Sequence, residues 1–150
     1  MNWNVYLSGE IHTNWRDEIY QQSKDLDLNI NFSSPVNSHA TSDDCGAKIL
    51  GKEESNFWHD HKGAKLNAIR TRKAIQSSDI IVVRFGDKYR QWNAAFDAGY
   101  ASALGKSLII IHSDEQQHAL KEVDAAALAV VDDVKKVVRI FQYVMEGKLK

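Results

Sequence analysis

Cysteine and proline each occur once in 150 residues. With Cys45 as the lone thiol, no disulfide can form within the chain, and a stapled scaffold is excluded. No basic residue lies near Cys45 in sequence to activate it, so it reads as a plain thiol. Metal-ligand spacings of the C-x-x-C or H-x-x-x-H kind are missing. His59-Asp60-His61 resembles a ligand set, but neighbours on a helix point in different directions and cannot close on one ion. Neither a metal nor another cofactor is expected. Charge of one sign is also lacking: 19 Lys and Arg stand against 20 Asp and Glu, a net charge of -1. That balance gives no bulk attraction to nucleic acid or to an anionic membrane. No apolar run approaches the roughly 20 residues of a membrane span, and no N-terminal segment has the pattern of a signal peptide. The cytoplasm is the expected location. Low complexity and internal repeats are absent too.

What is present is ordinary for a globular protein: 43% hydrophobic and 26% charged residues. The length suits one domain, 1–150. The stretch from Ser78 to His112 organises it. Ile80 to Val83 is a short apolar run, suited to a strand buried on both faces. Asn93 is a good N-cap for a helix over Ala94 to Leu104, and Gly105 closes that helix with Lys106 beside its negative end. Ser107 to Ile111 is a second buried run. Together they predict a βαβ unit with a right-handed crossover. Gly99 inside the helix implies close packing on the sheet.

Before that unit, Asn4 to Ser8 and Leu28 to Phe32 alternate as strands. A helix runs from Thr13 or Asn14 to about Lys24, with Asp17 and Glu18 in its first turn. Ser33 to about Glu54 reads as a long irregular connection, a candidate lid carrying Pro35, His39, Asp43, Asp44 and Cys45. Ser55 to Ser77 is a long helix whose Lys62, Lys65, Arg70, Arg72 and Lys73 read as a solvated basic face. After the unit come a helix over Glu115 to Glu122, a weak strand over Ala126 to Val131 and an amphipathic helix from Asp132 and Asp133 to Met145. This alternation predicts an α/β fold: a doubly wound, five-stranded parallel sheet of flavodoxin-like order 2-1-3-4-5, with helices on both faces.

D-I-I-V-V followed by F-D-A-G-Y-A-S-A-L-G-K resembles the nucleoside 2-deoxyribosyltransferase family and its nucleotide N-glycosidase relatives. V-Y-L-S-G resembles that family's first strand and glycine turn. The likeness to the YtoQ family is closer and spans nearly the whole chain, through G-E-I-H-x-x-W-R and F-G-D-K-Y-R-Q-W-N-A-A-F-D-A-G-Y-A. The resemblance implies the same sheet order and a homo-oligomer whose interface helps wall the site. The loop around Trp92 and the Phe57-Trp58 pair are plausible anchors for such an interface. It also implies that Asp97 is the nucleophile. An N-glycosidic bond breaks through an oxocarbenium-like state, which a carboxylate stabilises or captures. The family usually has Glu there, and Asp where this chain has Gln91 and Thr71. It has Gly and Thr where Asn93 and Ala94 stand, and Pro where Glu10 stands. The crevice is therefore kept but relined.

In an open parallel sheet a ligand binds beyond the carboxyl ends of the strands, at the switch point. That rule brings together Gly9 to Asn14 and Phe85 to Asn93, while Asp79 falls at the far end as a structural acid. The expected catalytic set is Asp97 with Glu10 or Asp87 as acid/base partner. The expected binding set is Ser8, Gly9, Ile11, His12, Arg16, Arg84, Phe85, Gly86, Tyr89, Gln91, Trp92 and Asn93. Arg16, near a helix start, is either a surface cation paired with an acid or an anchor for a phosphate or carboxylate. Arg84 ends a buried strand and needs a partner or a ligand. Tyr89 and Trp92 can stack on a base or sugar. The expected ligand is a small nucleoside, nucleotide or related N-riboside, and the expected activity is glycosyl hydrolysis or transfer. The alternatives are a non-catalytic nucleotide-binding module of the same fold, with Asp97 gripping ribose hydroxyls, and a small homo-oligomeric scaffold.

Overall fold

The computed structural model describes residues 2–148, the side chain of His39 excepted. Five strands, β1 (Trp3–Gly9), β2 (Ile30–Ser33), β3 (Ile80–Arg84), β4 (Ser107–Ile111) and β5 (Ala129–Val131), form one sheet. All pair in parallel, in the order β2-β1-β3-β4-β5. The helices are α1 (Trp15–Asp25), α2 (His39–Leu50), α3 (Asn56–Ser77), α4 (Trp92–Ala103), α5 (Gln117–Ala125) and α6 (Val134–Glu146). This is the doubly wound sheet that the strand–helix alternation predicts. No helix among the described residues is long and apolar enough to cross a membrane.

The period of two along β1 sorts the layers. Val5 and Leu7 face Trp15 and Ile19 of α1 and Val137, Val138 and Phe141 of α6. Tyr6 points to the opposite face, into the cluster with Ile75 of α3 and Ala94, Ala98 and Ala101 of α4. Ser8 follows Tyr6 on that second face and is also buried. The same alternation that builds the core thus aims one polar residue of β1 at α4.

Gly9 ends β1 opposite Arg84. Its φ is +113°, and a Cβ there would stand 2.0 Å from the Arg84 carbonyl oxygen. Only glycine meets both conditions. At the other end of the sheet Asp79 accepts from the Asn4 N–H at 2.8 Å, the structural role expected of it.

Four sequence expectations are corrected. The segment read as an irregular lid contains α2, whose N-cap Ser38 accepts from the Thr41 N–H. Its sequence is polar and holds Gly46, which argues against a helix by propensity. The reason for Gly46 is tertiary: a Cβ there would lie 2.5 Å from the Gly63 backbone nitrogen, so α2 and α3 cross backbone to backbone. Asn67 of α3 reinforces the crossing by donating to the Ser42 carbonyl at 3.0 Å. Second, Gly99 does not pack on the sheet; it is exposed, and a Cβ would meet nothing within 4 Å. Third, α4 begins at Trp92, so Asn93 lies inside it and makes no side-chain cap. Fourth, Lys106 serves a different helix end, donating to the Gln76 and Ser78 carbonyls after α3.

The crossing makes a direct prediction. Gly46→Ala should destabilise the docking of α2 by about 1–3 kcal/mol, the usual range for overpacking. Hydrogen exchange should show faster opening of the α2 amides with β3 and β4 unchanged. Equal protection of α2 in both forms would show that the helices can part without loss.

Candidate functional site

β1 and β3 are neighbours, and their carboxyl ends open on the crevice where the strand order reverses. A cavity of about 1210 Å³ lies there. Tyr6, Ser8 and Gly9 to His12 form one wall, and Tyr89 to Ala94 with Phe96, Asp97 and Tyr100 form the second. Ser33 to Val36 and the inner side of α3 complete it. The first-strand loop and Asp97 therefore meet at one crevice.

Asp97 is partly buried, and Ser8 Oγ donates to its Oδ2 at 2.5 Å. Burial raises its pKa above the ordinary aspartate value, and the Ser8 bond opposes that rise. Asp97 is the sixth residue of α4, past the first turn in which a helix start favours a negative charge, so desolvation prevails. Tyr6 shares this base of the cavity. Its hydroxyl is buried, with Thr71 beside it but outside hydrogen-bond geometry. Burial pushes the phenol up to about 12, with Asp97 adding to the rise, so it stays protonated at neutral pH. Composition and loop motifs missed Tyr6; its signal was the shared parity of Tyr6 and Ser8 along β1.

Glu10 behaves differently from the acid/base partner expected of it. Burial would raise its carboxyl, but Thr13 Oγ1 and the backbone N–H groups of His12 and Thr13 all donate to it. Arg84 Nε stands 3.3 Å from its Oε1. Together these hold Glu10 below the usual carboxylate range, as a fixed anion rather than a proton carrier. Arg84 has thus found the partner its position demands, and it does not line the cavity. Gly86 lets the chain pass close to Glu10: a Cβ at Gly86 would sit 3.0 Å from Glu10 Cγ.

Arg16 is likewise turned inward, only 5% exposed. Its guanidinium donates to the carbonyls of Leu7, Glu10 and Gly9 at 3.1, 2.8 and 3.2 Å. Trp15 Nε1 adds a bond to the Glu10 carbonyl at 3.0 Å. Those carbonyls lie at or just past the end of β1, and Arg16 satisfies them. It is a positioning residue for the loop, neither a surface cation nor an anion anchor.

Asp87, the other expected partner, faces away from the cavity. It accepts from Ser113 Oγ at 2.6 Å and Gln116 Nε2 at 3.2 Å, fastening its loop to the turn before α5. Phe85 is buried core. Of the remaining expected residues, Ile11, His12, Tyr89, Gln91, Trp92 and Asn93 do line the cavity. The His12 and Tyr89 rings meet at 4.6 Å between centroids, joining the two loops across the opening. Gln91 accepts from the Gly86 N–H at 3.0 Å, while its own Nε2 is buried without a hydrogen-bond partner. Two residues that line the cavity thus each bury a polar atom without a hydrogen-bond partner, Tyr6 Oη and Gln91 Nε2. Among the described residues no group of three His, Cys, Asp or Glu side chains is placed to hold a metal ion.

The other residues missed by sequence reading come from α3. Lys65, Arg70, Arg72 and Lys73 all line the cavity. They are exposed, as a solvated face requires; that this face also borders the cavity depends on where α3 lies against β1, which charge alone does not tell.

A family model described as nucleoside 2-deoxyribosyltransferase YtoQ matches residues 6–145. A Bacillus subtilis (strain 168) protein named "Uncharacterized protein YtoQ" is 40% identical over 97% of this chain and 99% of its own length. Among solved structures, a conserved protein from Enterococcus faecalis V583 superposes with a TM-score of 0.64 at 14% identity, over 96% of this chain and 99% of its own. A 2-deoxyribosyltransferase from Bacillus psychrosaccharolyticus superposes with a TM-score of 0.53 at 17% identity, over 90% of each chain. At such identities the superpositions speak for the fold alone.

Proposed function

The chain belongs to the nucleoside 2-deoxyribosyltransferase YtoQ family, and from that membership we propose that it cleaves the N-glycosidic bond of a nucleoside, nucleotide or related N-riboside. The observation that carries the reading is Asp97, a carboxylate held by Ser8 in a large crevice. One Asp97 oxygen attacks the anomeric carbon. The bond to the base nitrogen breaks, its electron pair leaves with the base, and the base takes a proton as it departs. Water or a second base then attacks the same carbon and frees the Asp97 carboxylate. Ser8 keeps one oxygen occupied, which leaves the other for the sugar. Tyr6 Oη and Gln91 Nε2 supply donors to the sugar or base, and Tyr89 and Trp92 supply ring faces. Glu10 keeps its charge and shapes the loop.

The test is chromatographic detection of free base from a panel of nucleosides and nucleotides, with and without an acceptor base. Release from at least one member is expected. No release from any member would favour a non-catalytic binding module.

The same reading includes assembly into a homo-oligomer. Trp92 and Phe96 are 71% and 67% exposed on α4, and exposed Gly99 continues their stripe one turn on. Large exposed aromatics beside a bare backbone suit burial against another surface. Light scattering at high micromolar concentration should give at least twice the 17.0 kDa chain mass. Trp92→Lys with Phe96→Lys should return the monomer, and a monomeric wild type would remove the assembly from the reading.

A further inference from the structure

Residues 61–78 contain five Lys or Arg and no Asp or Glu, in a chain whose total charge is -1. Four of those cations, Lys65, Arg70, Arg72 and Lys73, line the cavity that holds Asp97. The fifth, Lys62, is paired with Glu53 and caps the end of α2. Lys65, Arg70, Arg72 and Lys73 make no ion pair or side-chain hydrogen bond within the described residues. Of the four, Arg70 is the one whose charge is felt at the buried Tyr6 hydroxyl. Four acids, Glu10, Asp43, Asp60 and Asp97, and a further cation, Arg90, also line the cavity; with Glu10 matched by Arg84, the cations remain in excess. Walls of low dielectric concentrate such a field within the crevice. A neutral nucleoside would gain little from it, whereas a phosphate would meet several donors at once.

We propose that Arg70, with Lys73 one turn on along the same face of α3, binds a phosphate group of the substrate, so that the ligand of this site is a nucleoside monophosphate rather than a free nucleoside. This rests on the glycosidase reading for the identity of the sugar and base, but the phosphate contact is a separate binding event with its own readout. Arg70 is exposed at the cavity wall and makes no ion pair or side-chain hydrogen bond among the described residues, so its replacement should leave the fold intact.

Isothermal titration at low and at physiological salt tests it, with four probes. These are deoxynucleoside 5′-monophosphates, the matching deoxynucleosides, deoxyribose 5-phosphate and inorganic phosphate. The monophosphate should bind at least about 10-fold more tightly than its nucleoside, as expected for charged hydrogen bonds, and the preference should shrink as salt rises. Arg70→Gln should remove most of that preference, and Arg70→Lys should restore part of it. Deoxyribose 5-phosphate binding above inorganic phosphate would show that the sugar is read together with its phosphate. Equal affinity for nucleoside and monophosphate, no binding of any phosphorylated probe, or a preference unaltered by Arg70→Gln would overturn the proposal. Binding that depends on Arg70 without any base release would instead overturn the glycosidase reading and leave this one standing. Release from nucleosides and nucleotides alike, indifferent to Arg70→Gln, would do the reverse.

Discussion

Asp97→Asn is expected to abolish base release while leaving ligand affinity nearly unchanged. The side chains are of equal size, and the amide can still meet Ser8 Oγ, so the cavity keeps its shape. What is lost is the negative charge at the moment when positive charge develops on the anomeric carbon. A contact that strengthens only in the transition state lowers the rate without lowering binding. Loss of one such stabiliser removes about 10²–10³ in rate, and loss of a covalent nucleophile removes more. Single-turnover rates and equilibrium titrations on the same variant separate the two effects. Full activity in Asp97→Asn would end the catalytic role of Asp97. The acid limb of the pH–rate profile gives a second check. Asp97 must be ionised to react, and burial raises its pKa, so the rate should fall at a higher pH than for an ordinary aspartate. Ser8→Ala removes the bond that favours the charged form, so that limb should move to still higher pH. Asp97→Glu extends the carboxylate by one methylene, to the residue more usual at this place in the transferases. A shift of about 1 Å can cost roughly 100-fold. Retained activity would mean that the crevice fits the usual deoxyribosyl geometry, and lost activity would mean that it is built around the shorter acid.

Gly9→Ala should be the most destabilising single change near the site. The backbone at Gly9 has a φ of +113°, and the new methyl group would fall 2.0 Å from the Arg84 carbonyl oxygen. That oxygen also accepts from the Glu10 N–H at 3.0 Å, so the strand end cannot simply retreat. Backbone strain of about 1–3 kcal/mol and overpacking of similar size together give an expected loss of about 3–5 kcal/mol. That is a large share of the roughly 5–15 kcal/mol that holds a domain folded. Gly105→Ala is the control. Its φ is +66°, yet a Cβ there would meet nothing within 4 Å, so only the conformational cost of about 1–2 kcal/mol remains. Urea denaturation followed by circular dichroism measures both. Similar midpoints for the two variants would mean that contact with Arg84 is not what fixes Gly9.

The sheet was legible because β3 and β4 are short apolar runs and β1 and β2 alternate apolar with polar residues, and α4 because F-D-A-G-Y-A carries a family likeness. Its exact start was not, since Asn93 has the composition of a cap but the helix starts two residues earlier than that cap implies, at Trp92. The place of the crevice was also legible, because strand order fixes which loops meet. The work of individual polar residues was not. Glu10, Arg16, Arg84 and Asp87 all read as ligand contacts from sequence, yet each is committed to another part of the protein. A charged residue beside a strand end has the same one-dimensional signature whether it faces a ligand or a backbone carbonyl. The α3 cations are exposed, as a solvated face requires, and their place beside the cavity was not legible because it depends on how α3 lies against β1. Helix α2 was hidden because its stabilising contact is glycine against glycine, which leaves no hydrophobic period to detect.

The position of β1 in the sheet has a consequence for synthesis on the ribosome. Its neighbours are β2 and β3, and its register with β3 joins Val5 to Ile80 and Gly9 to Arg84. The first strand made is therefore a central strand, and it waits about 75 residues for one of its two partners. At roughly 5–20 residues per second that interval is about 4–15 s. During it Val5, Tyr6 and Leu7, all buried in the finished protein, can be covered only by the elements between the two strands, α1, β2, α2 and α3, as they emerge, and by whatever binds a nascent chain. Slow translation between β2 and β3 should therefore lower the yield of folded protein more than the same delay after β4.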